Sequence, residues 1–348
     1  MAIIWWMSGC QSPETAEVDV EQLDPADSML VFTAVPPPDR MDILGNGWDI
    51  FAEGVVDPGS AGRLEALIRE HDIPGRSMLY LNARGGDLAA GLALGRVIRE
   101  AGLYTYVGSR DEEGEATWGI CTDAGVLAFL GGPFRWIMNG SEICFSPAMT
   151  GMEEGSPTRQ MVAAYLAEME IDTGLLDHLR MAGTEETCLT EADQAAWGIT
   201  RSGDEAVRWS IEQIKHGEYL KGEINTWRGI NKIMFYCPDG RLRLHAIFDP
   251  EGRAHEILDK LNAHTLRLDV RYIPIPPEAI EFKLEANGLI NLSILIDDDL
   301  IEPLLQARHV GVMCQESYDS PFFMGIDRMD FEGGARLLPG LLSGCVGL

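Results

Sequence analysis

Apolar and polar positions fall into a regular succession of strand and helix signals from Trp48 onward. Residues 48–56 read as a short strand, and Asp57-Pro58-Gly59-Ser60 as a turn able to cap a helix. Leu64, Leu67 and Ile68 then recur at helical spacing and predict a helix over 61–71. Residues 77–82 form a short apolar run bounded by turn signals, the mark of a buried strand. A loop is expected at 83–87, a helix of small residues at 88–101 and a strand at 103–107. This β-α-β-α-β order predicts parallel strands joined by right-handed crossovers. A polar insertion follows at 108–116, then a small apolar helix at 121–130, short strands at 135–138 and 142–145, and a helix at 157–169. Thr190 is placed to cap one more helix.

The pattern changes in the last third. Strands are expected at 231–237 and 241–248 around the Pro238-Asp239-Gly240 turn, a helix at 253–263 and a strand at 266–273. Asn287-Gly288 between two apolar runs, 281–286 and 289–296, is a strong hairpin signal. Strands at 309–314 and 322–326 and a closing helix at 330–345, disturbed by Pro339, complete the chain. Hairpins with few helices indicate an α+β unit. The expected division is leader and linker at 1–45, with Pro36-Pro37-Pro38 extended, an α/β domain at 46–222 and a smaller α+β domain at 223–348.

Charge narrows the partners. With 55 acidic and 27 basic residues the formal charge is -28, so phosphate backbones are repelled and nucleic acid is not expected as a partner. The seven cysteines form no CxxC pair and no zinc-finger spacing with histidine, so no metal is expected, and no cofactor either. Disulfides of an exported protein and scattered buried thiols are both compatible with them. The N-terminal MAIIWWM-Ser8-Gly9-Cys10 resembles the end of a bacterial lipoprotein signal, with Cys10 as the lipidated residue anchoring the chain to a membrane. It lacks a basic segment and its apolar run is short. Periplasm or a lipid-anchored place in the envelope is therefore expected; the cytoplasm is the alternative if the segment is not a signal.

One stretch carries a family resemblance. LNARGGDLAAGLALGRVIREAGLYTYVG, residues 81–108, resembles the strand, Gly-Gly loop and helix of the Clp protease proteolytic subunits and signal peptide peptidases, within the crotonase superfamily. Cys121-Thr122-Asp123-Ala124-Gly125 with VLAFLGG resembles the nucleophile helix, and 143–147 the strand that carries the histidine. The resemblance implies a Clp/crotonase-like domain of repeated β-α-β units. It also implies an oxyanion-type loop at Gly85 and Gly86, completed by the amide of Ala124, because acyl transfer needs paired N–H groups aimed at the developing charge. The catalytic side chains depart from the pattern. Asp123 stands at the nucleophile position and Ser146 at the histidine position, so neither is expected to be active.

The resemblance therefore implies a non-catalytic pseudo-protease of the cell envelope that binds a peptide or protein partner, or assembles with itself. Alternatives stay open: a hydrolase with a rearranged site around Asp123, Ser141 or Ser146, or a crotonase-like enzyme using Asp123 with Asp87 or Glu142 as acid and base. An ion pair between Arg84 and Asp123 would close the site. His178 lies on an amphipathic stretch and reads as a surface residue. Cys121–Cys144 is one conceivable disulfide, and Cys237–Cys345 would staple the closing helix.

Overall fold

The computed structural model describes residues 29–37, 47–182, 185–203, 206–214, 217–250, 254–285, 288–320 and 323–345. Cys10 lies outside them. The chain is mixed α/β and has two separate apolar cores, one built from residues between Leu30 and Ile199, the other between Leu220 and Cys345. No described helix is long and apolar enough to cross a membrane.

The first core lies on one face of a sheet. Its elements are β1 (Val31–Val35), β2 (Asp49–Val56), α1 (Ser60–His71), β3 (Met78–Gly86), α2 (Leu88–Glu100) and β4 (Tyr104–Val107). The polar insertion expected at 108–116 takes the form of a small hairpin of β5 (Ser109–Arg110) and β6 (Ala116–Thr117). Then come β7 (Ile120–Thr122), α3 (Ala124–Leu130), β8 (Arg135–Ile137), β9 (Glu142–Phe145), α4 (Pro147–Thr150), α5 (Pro157–Glu168), α6 (Leu175–Ala182), β10 (Thr187–Cys188) and α7 (Glu191–Ala196). Strands β2, β3, β4 and β8 run parallel. β3 is shared: its first half pairs with β4, and Arg84 near its end pairs with Thr122 of β7, which in turn runs parallel to β9.

Alternation explains the two faces. Ile50, Ala52, Leu79, Leu81 and Val107 are fully buried toward the helices. Phe51, Tyr80, Tyr106 and Trp136 face the other way and stack in one row at 4.8–5.2 Å, the spacing of neighbouring strands. Arg135 is buried and closes the far end of α3. Its guanidinium donates to the carbonyls of Gly132, Gly198 and Ile199 at 2.8–2.9 Å, and burial beside Arg99 and Arg201 lowers its pKa to about 9.

The second core sits among β11 (Arg208–Ile214), β12 (Gly217–Thr226), β13 (Gly229–Tyr236), β14 (Arg243–Phe248), α8 (Ala254–Lys260), β15 (Ala263–Leu268), β16 (Arg271–Ile275), β17 (Ile280–Leu284), β18 (Ile290–Leu295), α9 (Asp298–Gln306), β19 (His309–Gln315), β20 (Met324–Asp330) and α10 (Glu332–Cys345). These strands form an antiparallel sheet ordered β11-β12-β13-β14-β18-β17 and a smaller one ordered β16-β15-β19-β20. The runs flanking the Asn287-Gly288 signal pair antiparallel as β17 and β18, with Gly288 at φ +81°, while Asn287 lies outside the described residues.

Several expectations need correction. Residues 31–35, expected in the linker, form β1 on the edge of the first sheet, and Leu30 beside it is fully buried. The expected break at 222/223 falls inside β12, so the chain leaves one core for the other upstream of Leu220. Residues 121–122 belong to β7 rather than to a helix. The expected strand at 266–273 is a hairpin, turned at Asp269 with φ +52°.

Candidate functional site

The sharpest local feature is the step from β7 into α3. Asp123 carries the whole turn, at φ +46° and ψ −106°, a region that residues other than glycine rarely occupy. A strand ending on a strained residue that opens a helix projects that side chain away from the sheet. Gly125 permits the close packing behind it: a Cβ there would sit 2.1 Å from the Ala83 carbonyl oxygen on β3.

Strand β9 and the residue that follows it hold this turn twice. The Asp123 amide donates to the Cys144 carbonyl at 3.3 Å, and Asp123 Oδ1 accepts the Ser146 amide at 2.8 Å. Asp123 and Ser146, read from sequence as nucleophile and histidine positions, are thus neighbours. What joins them is a carboxylate and a backbone N–H. Ser146 opens α4, and its amide is already committed to that bond.

Gly85 and Gly86 close β3 with φ of +67° and +103°. They belong to the strand end rather than to a free loop, since Gly86 pairs with Val56. A Cβ on Gly85 would lie 3.9 Å from Thr122 Oγ1, which sets Gly85 beside the Asp123 turn, whereas a Cβ on Gly86 would meet the Val56 backbone of β2. Ala124 begins α3, where the first amides have no acceptor within the helix, and it is fully buried.

The remaining candidates lie elsewhere. Arg84 is exposed and, among the described residues, forms no ion pair with Asp123: β3 continues through Gly86, and Arg84 stands opposite Thr122. Asp87 is the N-cap of α2 and accepts the Ala90 amide at 2.7 Å. Glu142 is exposed and pairs with Ile120 at the opposite end of the β7–β9 ladder. Ser141 Oγ accepts the Gly119 amide and donates to the Val107 carbonyl, both at 2.9 Å, which fixes two loops and leaves no free nucleophile. His178 Nε2 lies 3.3 Å from Asp193 and its ring faces Trp197, on the helical side of the unit.

The cysteines sort differently from the expected Cys121–Cys144 pair. Cys144 is bonded to Cys188, directly opposite it across β9 and β10, and Cys121 is a buried free thiol. Burial pushes the Cys121 thiol up to about 12, so it is no nucleophile near neutral pH. Cys237–Cys345 is formed as expected and ties α10 to the end of β13. Ligand atoms of Glu142, Cys144 and Cys188 lie within 4.8 Å of one another, but the two sulfurs share a bond and offer no thiolate pair to a metal. Sequence could not have given the Cys144–Cys188 pairing, because connectivity is not encoded in spacing.

No protein-family model and no curated protein matches this chain. Among solved structures, ClpP1 from Listeria monocytogenes is 13% identical, covering 44% of this chain and 88% of its own at a TM-score of 0.30. A membrane-bound stomatin-specific protease is 13% identical over 43% of this chain and 75% of its own, at 0.31. The invasion associated protein b of Bartonella henselae is 12% identical over 40% and 95%, at 0.30. At these values the likeness transfers neither residue roles nor activity.

Proposed function

We propose that this is a Clp-like unit without peptidase chemistry, joined to an α+β unit, that serves as a binding or self-assembling component of the cell envelope. One observation carries the reading: Asp123 occupies a strained strand-to-helix turn suited to a nucleophile, yet its carboxylate is spent on the Ser146 amide. Serine-type acyl transfer needs a hydroxyl and a base in hydrogen-bond reach of each other. Among the described residues, His71, His178, His245, His264 and His309 each pack against other groups. A carboxylate at the turn also repels an oxyanion developing beside it.

An extended peptide adding to a sheet edge is the binding mode such a scaffold favours. The two disulfides support an oxidising compartment, in keeping with export and with Cys10 as the anchored residue.

The test is fluorophosphonate labelling together with hydrolysis of a fluorogenic peptide by the full chain. The Asp123→Ser, Ser146→His double variant is compared alongside. No labelling and no turnover are expected in the parent. Labelling or turnover in the parent overturns the reading, and the labelled residue would then identify the nucleophile.

A further inference from the structure

The two disulfides hold very different amounts of structure. Cys237–Cys345 fastens a helix of 14 residues, and Cys345 is buried. Cys144–Cys188 fastens β10, a strand of two residues. The hold of β10 on β9 consists of the pairs Thr187↔Phe145 and Cys188↔Cys144, extended by the Leu189 amide donating to the Ile143 carbonyl at 2.9 Å. So short a pairing has little stability of its own. Leu189 is buried and its carbonyl takes the Gln194 side chain at 3.1 Å, so the chain is anchored immediately downstream. β9 also holds Asp123 through the Cys144 carbonyl, and the Ser146 amide just after it does so again.

We propose that Cys144–Cys188 is a redox latch: oxidised, it keeps β10 on the outer edge of β9 and steadies the Asp123 turn; reduced by a dithiol, it frees that edge. Cys188 is exposed and Cys144 is buried, so the accessible sulfur belongs to Cys188. A thiolate of the dithiol attacks the Cys188 sulfur and forms a mixed disulfide, and Cys144 leaves as a thiolate that takes up a proton. The second thiol of the reductant then attacks its own sulfur in the mixed disulfide and releases Cys188. Two electrons pass to the protein, which ends with two thiols, and the dithiol ends as a disulfide. Glu185 and Glu186 are exposed just before Cys188, and the Glu142 carboxylate lies within 4.8 Å of both sulfurs. This negative field slows an anionic thiol such as glutathione more than a neutral dithiol. The device opens the edge at 185–188 and hinges at Leu189. It does not depend on whether Asp123 retains any chemistry.

The oxidised full chain is titrated with dithiothreitol, quenched by alkylation and mapped by mass spectrometry, and its amide exchange is followed at each step. Cys144 and Cys188 are expected to become alkylated at reductant levels that leave Cys237–Cys345 intact. Exchange at 143–146 and 185–188 should then rise at least tenfold, with β2 and β3 unchanged. Cys188→Ser should show the same exchange without reductant; should that variant fail to fold, the selectively reduced parent carries the test. Opening of Cys237–Cys345 first, or of both bonds together, overturns the proposal. So does unchanged exchange at 143–146 and 185–188 once Cys144–Cys188 is open.

Discussion

Asp123 combines a backbone cost with a side-chain return. A residue held at φ +46° and ψ −106° costs about 1–3 kcal/mol. The bond from its carboxylate to the Ser146 amide offsets part of that. Asp123→Ala keeps the strain and leaves a half-buried N–H without its acceptor, so it should destabilise by about 1–3 kcal/mol. Asp123→Asn retains an acceptor oxygen and should cost less than about 1 kcal/mol. Urea midpoints of the two variants check this; an Asn variant as unstable as the Ala variant would show that the Ser146 bond contributes nothing. At this scale the sequence revealed which positions meet but not how. Asp123 and Ser146 were legible as a pair because the family resemblance sets them at the nucleophile and histidine positions, although the end of β7, just before Asp123, was read as helix. The Arg84 pairing failed because a Gly-Gly pair reads as a loop, whereas both glycines extend β3 and set Arg84 opposite Thr122.

Among elements, the start of α1 is tied down by one carboxylate. Asp57 accepts the Gly59 amide at 2.8 Å, the Ser60 hydroxyl at 3.0 Å and the Arg63 guanidinium, while Arg63 Nε donates to the Leu30 carbonyl beside β1. Chiefly through the Arg63 bond, the Asp57 carboxyl is held below its ordinary 3.8. A folded pKa below the unfolded one gives stability that is present above the unfolded value and is lost as pH falls through the folded value. Both side chains are about a third exposed, so screening limits the pair to about 1 kcal/mol. Arg63→Met should therefore lower stability near pH 6, and the gap to the parent should narrow as Asp57 is protonated below the ordinary carboxylate range. A gap constant from pH 6 to pH 2 in chemical denaturation would remove the pair from the account. Element types were legible wherever the period was clean, as in β2-α1-β3-α2-β4. They failed where an apolar run was too short to have a period: Cys121-Thr122 reads equally as the start of α3 and as the end of β7. β1 was hidden by its acidic, proline-rich flanks, which resemble a tether.

At the scale of the whole molecule, polar contacts join the units that hold the two apolar cores. Arg76 bonds Asp249 and donates to the Arg228 carbonyl at 3.3 Å, and the Tyr104 hydroxyl donates to the Trp227 carbonyl. A cavity of about 440 Å³ lined by Arg76, Tyr104, Phe134, Asn225 and Asp249 lies between these contacts. Each unit has its own cluster of buried apolar residues, so each carries its own hydrophobic stabilisation. The cores should therefore unfold in separate steps, and only one of those steps should depend on Cys237–Cys345. That bond spans 108 residues, and chain entropy alone assigns such a loop about 4–5 kcal/mol. In Cys237→Ser the calorimetric transition of the second core should move down by many degrees while the first stays in place. Exchange protection of β2 and β3 should persist to the parent's temperature as that of β13 and β14 disappears. A single transition in the parent, or both transitions falling together in the variant, would mean that the Arg76–Asp249 and Tyr104–Trp227 contacts bind the two cores into one cooperative unit.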